Sequence, residues 1–431
     1  MRVLVIGSGG REHTIVWKLA QSPRIRAILC APGNGGIAQA ARCVPVQPDD
    51  FAAITDLVLK ERIDYVVVGP EAPLALGLVD HLQALGISVL GPTAEAAQLE
   101  SSKIFAKDFM SRHRVPTARY ATYLDPQLAI AFLESSDAAY PIVIKADGLA
   151  AGKGVVVARS VQEARDAVKR IMVDREFGAS GERIIIEECL EGVEASYIVF
   201  TDGETIVPAV AARDHKAVFD DDAGPNTGGM GAYSTDDILG PQLEQEVLKK
   251  VIRPVIEGMR DEGYPFRGIL YAGLMLTSRG VQVLEFNVRM GDPECQVILP
   301  RLKSDFSELC EALCHGRLKE YKVAWTGDAA VCVVLASGGY PGSYVKGKAI
   351  TGLKMAEENQ RIAVFHAGTR LDGEKLITDG GRVLGVTATE KDLASAMMLA
   401  YEAVNKIHFE GMHYRRDIGA KGLAATARAT K

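Results

Sequence analysis

The sequence predicts an α/β protein with a Rossmann-like parallel-sheet domain at its N-terminus and an α+β domain at its C-terminus. Residues 1–100 alternate short apolar runs with amphipathic segments, the order that builds a parallel sheet covered by helices. A further apolar run at Ala330–Leu335 opens a last block of mixed strand and helix patterns. The 431 residues are too many for one ordinary core. At about 150 residues each, they predict about three domains.

The N-terminal elements follow from the length and period of the apolar runs. Short continuous runs predict buried parallel strands at Val3–Ile6, Ala27–Cys30, Tyr65–Val68 and Ser88–Leu90. Segments with helical period predict helices at Glu12–Gln21, Phe51–Glu61 and Leu74–Leu85. A loop containing Gly or Pro follows each strand. Such loops meet at the carboxyl edge of a parallel sheet, where ligands bind.

The pattern changes after residue 100. We expect a helix at Ser102–Arg112, and then a smaller α+β unit that begins at Pro116 and contains the strand Ile184–Ile186. Residues 196–291 are mostly β, interrupted by a long helix near Gln242–Glu262. The predicted domains are therefore residues 1–100, residues 101–325 with a smaller unit at about 116–192, and residues 326–431.

Composition excludes several classes of protein. A net charge of −6 and a pI near 5.9 argue against nonspecific nucleic-acid binding, which requires a basic face. No uncharged apolar run approaches the ~20 residues needed to cross a bilayer. Met1 leads directly into an expected strand, so we expect no signal peptide. The seven cysteines form no CxxC pair, which indicates reduced thiols and a cytoplasmic protein. We expect Cys310 and Cys314 to pack in the core rather than bind a metal.

The segment Pro141–Val156 predicts a phosphate-binding hairpin. An apolar run ends in Lys145, a loop with Gly148, Gly152, Lys153 and Gly154 follows, and a second apolar run resumes at Val155. Glycines let backbone N–H groups approach phosphate oxygens, and the two lysines add positive charge. A Walker loop would lead into a helix, whereas this loop leads into a strand. The alternative is an ordinary Gly-rich hairpin.

The segment Val283–Glu294 predicts a metal and substrate site. Side chains alternate between the two faces of a strand, so Glu285, Asn287 and Arg289 share one face. Two oxygen ligands on a strand make half of a Mg²⁺ site, and phosphates and waters would complete it. Arg289 can hold a carboxylate or phosphate in a two-pronged contact. The alternative is the solvated face of an edge strand.

A third segment, residues 209–234, carries closely spaced charges. Asp214 and Lys216 follow an expected buried strand, which favours a role in substrate binding. The acidic run Asp220–Asp222 is interpreted as a solvated loop.

The opening loop permits three interpretations. Gly7, Gly9 and Gly10 begin a dinucleotide-binding pattern, but Glu12 replaces the third glycine of GxGxxG. Backbone donors and Arg11 at a helix N-terminus would also suit a substrate phosphate or ribose. The remaining interpretation is a purely structural turn.

These segments together resemble the phosphoribosylamine–glycine ligase family, also called the glycinamide ribonucleotide synthetases, over essentially the full chain. The segments GSGGREH, APGNGG, GPEAPL, IKADGLAAGKGVVVA, EECLEG, RDHK, GPNTGGMGAYS and LEFNVRMGDPE occur in the order of that family. Met290 stands where the family usually has Phe or Leu, and Cys295 where it usually has Thr. Neither change removes a polar catalytic group. The resemblance implies an ATP-grasp fold, with a lid subdomain in the unit at about 116–192.

The resemblance also implies the reaction. It is that of an ATP-dependent ligase that joins glycine to 5-phosphoribosylamine through a glycyl phosphate, in de novo purine biosynthesis, with Mg²⁺ or Mn²⁺. The partners it implies are small-molecule substrates, with no nucleic acid and no membrane. We expect a monomer that makes transient contacts with neighbouring enzymes of the purine pathway.

The resemblance assigns site residues by their position in these motifs. The residues implied for catalysis are Arg289, Lys145, Asp214 and Asp292. The resemblance implies that the turn at 187–191 reads the adenine and that Glu194 holds the ribose. The full set of residues implied for ATP is Lys103, Lys145, Gly148, Gly152, Lys153, Gly154, Glu187, Glu188, Leu190, Glu191 and Glu194. Those implied for glycine and phosphoribosylamine are Gly9, Gly10, Arg11, Glu12, Asn34, Pro70, Glu71, Asp214, Lys216, Arg289, Gly291 and Asp292. The metal ligands implied are Glu285 and Asn287.

Three other functions compete with this interpretation. A nicotinamide-dependent oxidoreductase would explain the opening loop but leaves the segments at 141–156 and 283–294 unexplained. Another ATP-grasp carboxylate–amine ligase would share those two segments and differ in its acceptor. A nucleotide-binding regulatory protein would have kept the fold and lost turnover. Lys145, Glu285, Asn287 and Arg289 together argue against the last.

Overall fold

The protein consists of five β-sheets with helices packed against them, seen here in a computed structural model that describes residues 1–149 and 154–429. Strands and helices are numbered in chain order. Gly152 and Lys153, which the sequence predicts to bind ATP, lie outside the described residues.

The first sheet is parallel and has the strand order β3-β2-β1-β4-β5. Its strands are β1 (Arg2–Gly7), β2 (Ala27–Pro32), β3 (Arg42–Cys43), β4 (Tyr65–Val68) and β5 (Val89–Leu90). The helices of this region are α1 (Gly10–Leu19), α2 (Phe51–Glu61), α3 (Glu71–Ala75) and α4 (Leu78–Ala84). The Rossmann-like parallel sheet predicted from the sequence is confirmed.

The predicted helix Leu74–Leu85 is wrong as a single element. Gly77 adopts a left-handed conformation with φ +87°, which ends α3 and begins α4. Strand β3 was not predicted, because two residues at the edge of a sheet leave no periodic pattern.

The second sheet carries the glycine-rich hairpin and has the order β6-β9-β7-β8. Its strands are β6 (Tyr120–Tyr123), β7 (Ile142–Ala146), β8 (Val155–Ala158) and β9 (Ile184–Glu188), and the neighbouring helices are α5 (Gln98–Ser101), α6 (Lys103–Arg112), α7 (Pro126–Leu133) and α8 (Val161–Val168). β7 and β8 pair antiparallel, with Lys145 opposite Val155. The strand–loop–strand prediction is confirmed. This region has an apolar core of its own, in which Ile144, Ile171 and Ile184 are fully buried.

The third sheet is antiparallel and has the order β11-β10-β14-β15. Its strands are β10 (Val193–Thr201), β11 (Ile206–Pro208), β14 (Gly268–Thr277) and β15 (Gly280–Asn287). The helices α9 (Pro241–Val247) and α10 (Arg253–Asp261) are joined by a wider helical turn at Leu248–Ile252. They correspond to the predicted long helix near Gln242–Glu262.

The fourth sheet has the order β12-β13-β16-β20-β17, and a fifth sheet pairs β18 with β19. The strands are β12 (Arg213–Asp214), β13 (Gly231–Ser234), β16 (Ala329–Ala336), β17 (Ile362–His366), β18 (Thr369–Asp372), β19 (Lys375–Thr378) and β20 (Arg382–Glu390). The remaining helices are α11 (Cys295–Ile298), α12 (Phe306–Cys314), α13 (Leu353–Ala356), α14 (Leu393–Val404) and α15 (Ala420–Ala429).

The hydrogen bonds of the fourth sheet cross the domain boundary predicted at residue 325. β13 pairs antiparallel with β16, so that Gly231 lies opposite Val333 and Ser234 opposite Ala330. β12 extends the same sheet, with Asp214 opposite Ala232. Candidate site residues near 214 are therefore attached to the sheet of the C-terminal region.

No helix within the described ranges is long and apolar enough to span a membrane. All seven cysteines are free thiols, and Cys310 is completely buried in the apolar core beneath the first sheet.

Candidate active site

A buried carboxylate held by two lysines forms the inner wall of the site. Glu187 on β9 lies with its Oε2 3.0 Å from Lys145 Nζ on β7 and 3.2 Å from Lys107 Nζ on α6. All three side chains are almost fully buried, and the other oxygen of Glu187, Oε1, has no hydrogen-bond partner among the described residues. Burial lowers the pKa of Lys107 to about 8 against the pull of Glu187. Lys107 was not assigned to the site from the sequence, although it lies one helical turn after Lys103.

The start of α6 is attached to the loop that follows β7. Lys103 donates to the carbonyl of Gly148 at 2.8 Å, and burial lowers its pKa. Asp147 accepts from Ser102 Oγ at 3.2 Å and from the backbone N–H of Ile104 at 3.1 Å. The predicted ATP residues Lys103, Lys145 and Gly148 are thus brought together at the mouth of the hairpin.

The predicted alternation of side chains is present at the end of β15 and continues past the strand to Arg289. Glu285, Asn287 and Arg289 are partly exposed, whereas Phe286 and Val288 between them are buried, as strand alternation requires. A bulge in the pairing of β14 with β15 falls just before this stretch. Within the described residues, no ion pair within 4 Å neutralises the carboxylate of Glu285.

Four basic side chains act on the carboxyl of Glu285. Burial opposes ionisation of this carboxyl, but Lys216, Lys145, Lys103 and Arg289 outweigh it and lower its pKa. The described residues contain no cluster of three or more His, Cys, Asp or Glu that could hold a metal by itself. Two hard oxygen ligands on one face fit Mg²⁺ or Mn²⁺ when phosphate oxygens supply the remaining positions.

Of the predicted adenine and ribose residues, Glu187 and Leu190 are buried, and the others are partly or fully exposed. Glu188 pairs with Arg119 and Arg279 at the surface, at 3.1 and 3.3 Å. Leu190 packs against Ala118 and Met275, and Glu191 is exposed. Glu194 Oε2 lies 3.0 Å from Lys216 Nζ, which connects the ribose candidate to the segment after β12.

Asp214 lies in a cluster of acidic side chains. Burial raises its pKa to about 7, and Glu294, Glu194 and Glu285 add to the effect while Lys216 opposes it. Glu294 is buried and accepts from Tyr271 Oη at 2.6 Å and from Ser196 Oγ at 3.2 Å. The sequence singled out the GDPE segment, but Glu294 was not placed in the site. An acidic pocket of this kind suits an ammonium group.

The predicted donors at the N-terminus of α1 are already paired within the protein. The N–H of Gly9 donates to Glu12 Oε2 at 2.6 Å, and the backbone N–H of Arg11 bonds to Asp292. Arg11 Nε lies 2.6 Å from Glu12 Oε1. A Cβ at Gly69 would collide with the carboxylate of Glu12. Two carboxylates at this helix end repel a pyrophosphate, which argues against the dinucleotide interpretation.

Another predicted substrate residue, Asn34, holds neighbouring loops together. The side chain of Asn34 donates to the carbonyls of Ser8 and His366 at 2.8 Å, and its Oδ1 accepts from Gly36 and Ile37 at 2.9 Å. These bonds use its full donor capacity.

Pro70 precedes α3, where Glu71 is the first residue. Glu71 Oε2 lies 3.1 Å from Arg289 Nε. Burial opposes its ionisation, but Arg289 and Arg11 lower its pKa to about 2.

The GDPE turn is held by close contacts and by the C-terminal region. A Cβ at Gly10 would collide with Gln296, and one at Gly291 with Glu294, so both glycines permit close packing. Gln296 donates to Asp292 Oδ1 at 2.8 Å. Arg382, the first residue of β20, lies 3.3 Å from Asp292 Oδ2 and donates to its carbonyl at 2.7 Å.

The acidic run Asp220–Asp222 is exposed to solvent, as predicted, but it also makes specific contacts with the C-terminal segment. Arg415 is fully buried and donates to Asp222 Oδ1 at 2.8 Å and to the carbonyl of Ala217 at 3.1 Å. Arg416 donates its backbone N–H to Asp220 at 2.7 Å. Residues 217–222 are therefore fixed to the C-terminal segment that follows α14.

Comparison with known proteins agrees with this architecture. The phosphoribosylglycinamide synthetase N, ATP-grasp (A) and C domain models match residues 1–100, 101–295 and 330–421. The phosphoribosylamine–glycine ligase of Vibrio cholerae is 47% identical over 98% of this chain and 99% of its own length. The trifunctional purine biosynthetic protein adenosine-3 of Gallus gallus is 52% identical over 98% of this chain. This chain spans 42% of that longer protein.

Solved structures extend the comparison to three dimensions. The phosphoribosylamine–glycine ligase of Thermotoga maritima has a TM-score of 0.83 at 34% identity, covering 97% of this chain and 100% of its own. A biotin carboxylase from Campylobacter jejuni has a TM-score of 0.73 at 13% identity, covering 96% of this chain and 92% of its own, which shows the fold alone.

The fold defines an ATP-grasp ligase. The lysines, the carboxylate–amide pair and the arginine described above agree with that class. Within that class, the chain belongs to the phosphoribosylglycinamide synthetase family.

Proposed function

We propose that this chain joins glycine to 5-phosphoribosylamine at the expense of ATP, giving glycinamide ribonucleotide, ADP and phosphate. The family and the bacterial relatives of the same length support this reaction. The observation that carries the proposal is the position of Glu285. Its carboxylate lacks an ion-pair partner among the described residues, yet lies within electrostatic reach of Lys103, Lys145 and Arg289.

The first step activates the carboxylate of glycine. A carboxylate oxygen forms a bond to the γ-phosphorus of ATP, the bond from that phosphorus to the β,γ-bridging oxygen breaks, and ADP leaves. Such a transfer needs alignment and neutralised charge more than covalent help from the protein. We assign the phosphates to Lys103 and Lys145 with the loop from Gly148 to Gly154, and the glycine carboxylate to Arg289, whose planar fork fits it.

The metal and the nucleoside part of ATP would each have their own residues. Glu285 and Asn287 would hold Mg²⁺ or Mn²⁺, which would neutralise negative charge on the ATP phosphates. The adenine would lie against the turn at 187–191, and Glu194 would take the ribose hydroxyls.

The acidic pocket around Asp214 would orient glycine. Asp214 with Glu294 behind it would receive the ammonium group, while Arg289 would hold the carboxylate. Gly291 and Asp292 would line the space between them. Lys216, whose pKa is raised well above its ordinary value by Asp214, Glu194 and Glu285 against the effect of burial, would keep the cluster from carrying excess negative charge.

The second step forms the amide. The amine of phosphoribosylamine attacks the acyl carbon of glycyl phosphate, a C–N bond forms, the C–O bond to phosphate breaks, and the amine loses a proton to solvent. The paired carboxylates of Glu12, Glu71 and Asp292 suit the hydroxyl and amine groups of this substrate better than its phosphate. Gly9, Gly10, Arg11, Asn34 and Pro70 would shape the loops that surround it.

The assembly and location of the protein remain predictions. We expect a monomer in the cytoplasm, with transient contacts to neighbouring enzymes of purine synthesis. Sedimentation equilibrium of the purified chain checks the first of these expectations.

The decisive test is ADP formation with glycine and freshly prepared phosphoribosylamine. We expect ADP release that requires both substrates, and a product with the mass of glycinamide ribonucleotide. ADP formed with glycine and a different amine, but not with phosphoribosylamine, would assign the chain to another carboxylate–amine ligase. Tight NADH binding without glycine-dependent ADP release would contradict the proposal altogether.

A further inference from the structure

Glu100 forms a buried link between the N-terminal domain and the end of β15. It lies in α5, which packs against β15. Its Oε2 accepts the backbone N–H of Val288 at 2.7 Å, and its Oε1 accepts from Arg289 Nη2 at 2.6 Å. The side chain is 8% exposed. One carboxylate thus fixes both the backbone before Arg289 and the guanidinium itself.

The guanidinium of Arg289 is held on a second side as well. Nε donates to Glu71 Oε2 at 3.1 Å, and the same oxygen lies 3.8 Å from Arg11 Nη1. The ion pairs with Glu71 and Glu100 come from two different helices, so the planar group cannot rotate without breaking one of them. Removing either carboxylate would leave the arginine with a single ion-pair partner, besides the bond of its Nη1 to the carbonyl of Met290 at 3.3 Å.

The two carboxylates are not equivalent. Burial raises the pKa of Glu100 to about 7, and the charge of Glu71 adds to this while Arg289 opposes it. Ionising a carboxylate in such buried surroundings costs free energy, so its ion pair contributes little to the stability of the fold. Its position is better explained by what it does to Arg289.

We propose that Glu100 is a positioning residue that holds the guanidinium of Arg289 in the orientation needed for the carboxylate of glycine. This inference rests on the proposed function, because it assigns Arg289 to glycine. Glu100 acts through Arg289 and has no contact with substrate in this scheme.

The test is a double-mutant cycle with Glu100→Gln and Arg289→Lys. Gln has nearly the same shape as Glu, and its amide oxygen can still accept the N–H of Val288. Its side chain is uncharged, however, so the ion pair with Arg289 is lost. We expect kcat/KM for glycine to fall about 10–100-fold in Glu100→Gln, as small misplacements of a binding group do. KM for ATP should change less than about twofold. Glu95→Gln, an exposed carboxylate in the preceding turn, is the matched control and should match the wild type.

The cycle separates positioning from a general structural role. If Glu100 acts through Arg289, Glu100→Gln added to Arg289→Lys causes little further loss, because the group it positions is already gone. A full additional loss in the double variant, or equal losses for glycine and ATP in the single variant, would overturn the proposal. Should Glu100→Gln fail to fold by circular dichroism, the same cycle with Glu100→Asp, which keeps the charge, gives the same comparison. Failure of the proposed function is distinct, since the wild type itself would then release no ADP with glycine and phosphoribosylamine.

Discussion

Lys145 and Glu187 lie on the neighbouring strands β7 and β9, and their charged atoms are 3.0 Å apart in the protein interior. Glu187 also holds Lys107, so one carboxylate balances two buried ammonium groups. We expect Glu187→Gln to lower the free energy of unfolding by about 3–5 kcal/mol, since it leaves buried charges without a partner. Urea unfolding followed by circular dichroism measures this.

The matched control is Glu188→Gln on the same strand. Its partners Arg119 and Arg279 are largely exposed, so the loss should be about 0–1 kcal/mol. Equal losses for the two variants would show that the Lys145–Glu187–Lys107 cluster does not stabilise the fold.

Glu285→Gln should abolish turnover and leave stability nearly unchanged. The strand keeps its shape and its buried residues, but a charged oxygen ligand is lost. Steady-state ADP release as a function of Mg²⁺ concentration checks this, with Glu204→Gln, an exposed carboxylate beside the same sheet, as the control. Wild-type activity of Glu285→Gln at saturating Mg²⁺ would remove this residue from the metal site.

Asp214→Asn should make the protein more stable at alkaline pH and less active. The folded pKa of about 7 lies above the ordinary value of 3.8, so the folded state binds the extra proton between these limits. Stability from this group is therefore present at low pH and is lost as the pH rises from about 4 to about 7. At about 1.4 kcal/mol per pKa unit, the variant should gain up to about 4 kcal/mol over the wild type at pH 8, and less at pH 5.

Urea unfolding at both pH values, with the exposed Asp137→Asn as control, tests the stability effect. In the wild type, kcat/KM for glycine should also fall as the pH drops below about 7, because a protonated Asp214 cannot pair with an ammonium group. A gain in stability that does not depend on pH would contradict the assignment.

Gly69→Ala should weaken the acceptor site and the N-terminal domain together. The new Cβ would displace the carboxylate of Glu12, which caps α1 through Gly9. We expect a loss of about 1–3 kcal/mol in unfolding free energy. KM for phosphoribosylamine should rise, with little effect on ATP. Gly327→Ala, at an exposed glycine whose Cβ would meet nothing closer than 3.9 Å, should lie within about 0.5 kcal/mol of the wild type.

The sequence predicts the local features well because they depend on how side chains repeat over a few residues along a strand or helix. The alternation of Glu285, Asn287 and Arg289 follows from a strand period of two, and the bulge in β14–β15 falls before it and leaves it intact. The division of the predicted helix at Gly77 was missed, because an isolated glycine does not by itself reveal a positive φ.

The partners of the site residues could not be predicted in the same way. Arg289 and Glu100 are 189 residues apart, and no local pattern connects them. The same holds for Arg382 with Asp292 and for Arg415 with Asp222. Backbone donors at the start of α1 were expected to be available to substrate, whereas Glu12 and Asp292 already occupy them.

The pairing of β13 with β16 affects the order in which the protein folds during its synthesis. The two strands are separated by about 100 residues of intervening chain, so their contact forms late by the rule that distant pairings are slow. Asp214 lies on β12, at the edge of the same sheet. On a ribosome, β13, and with it the strand β12 that presents Asp214, therefore joins the rest of the fourth sheet only once β16 has emerged. We expect a nascent chain that ends at residue 325 to expose an unpaired strand edge, which favours aggregation. We also expect it to show no glycine-dependent ATP consumption.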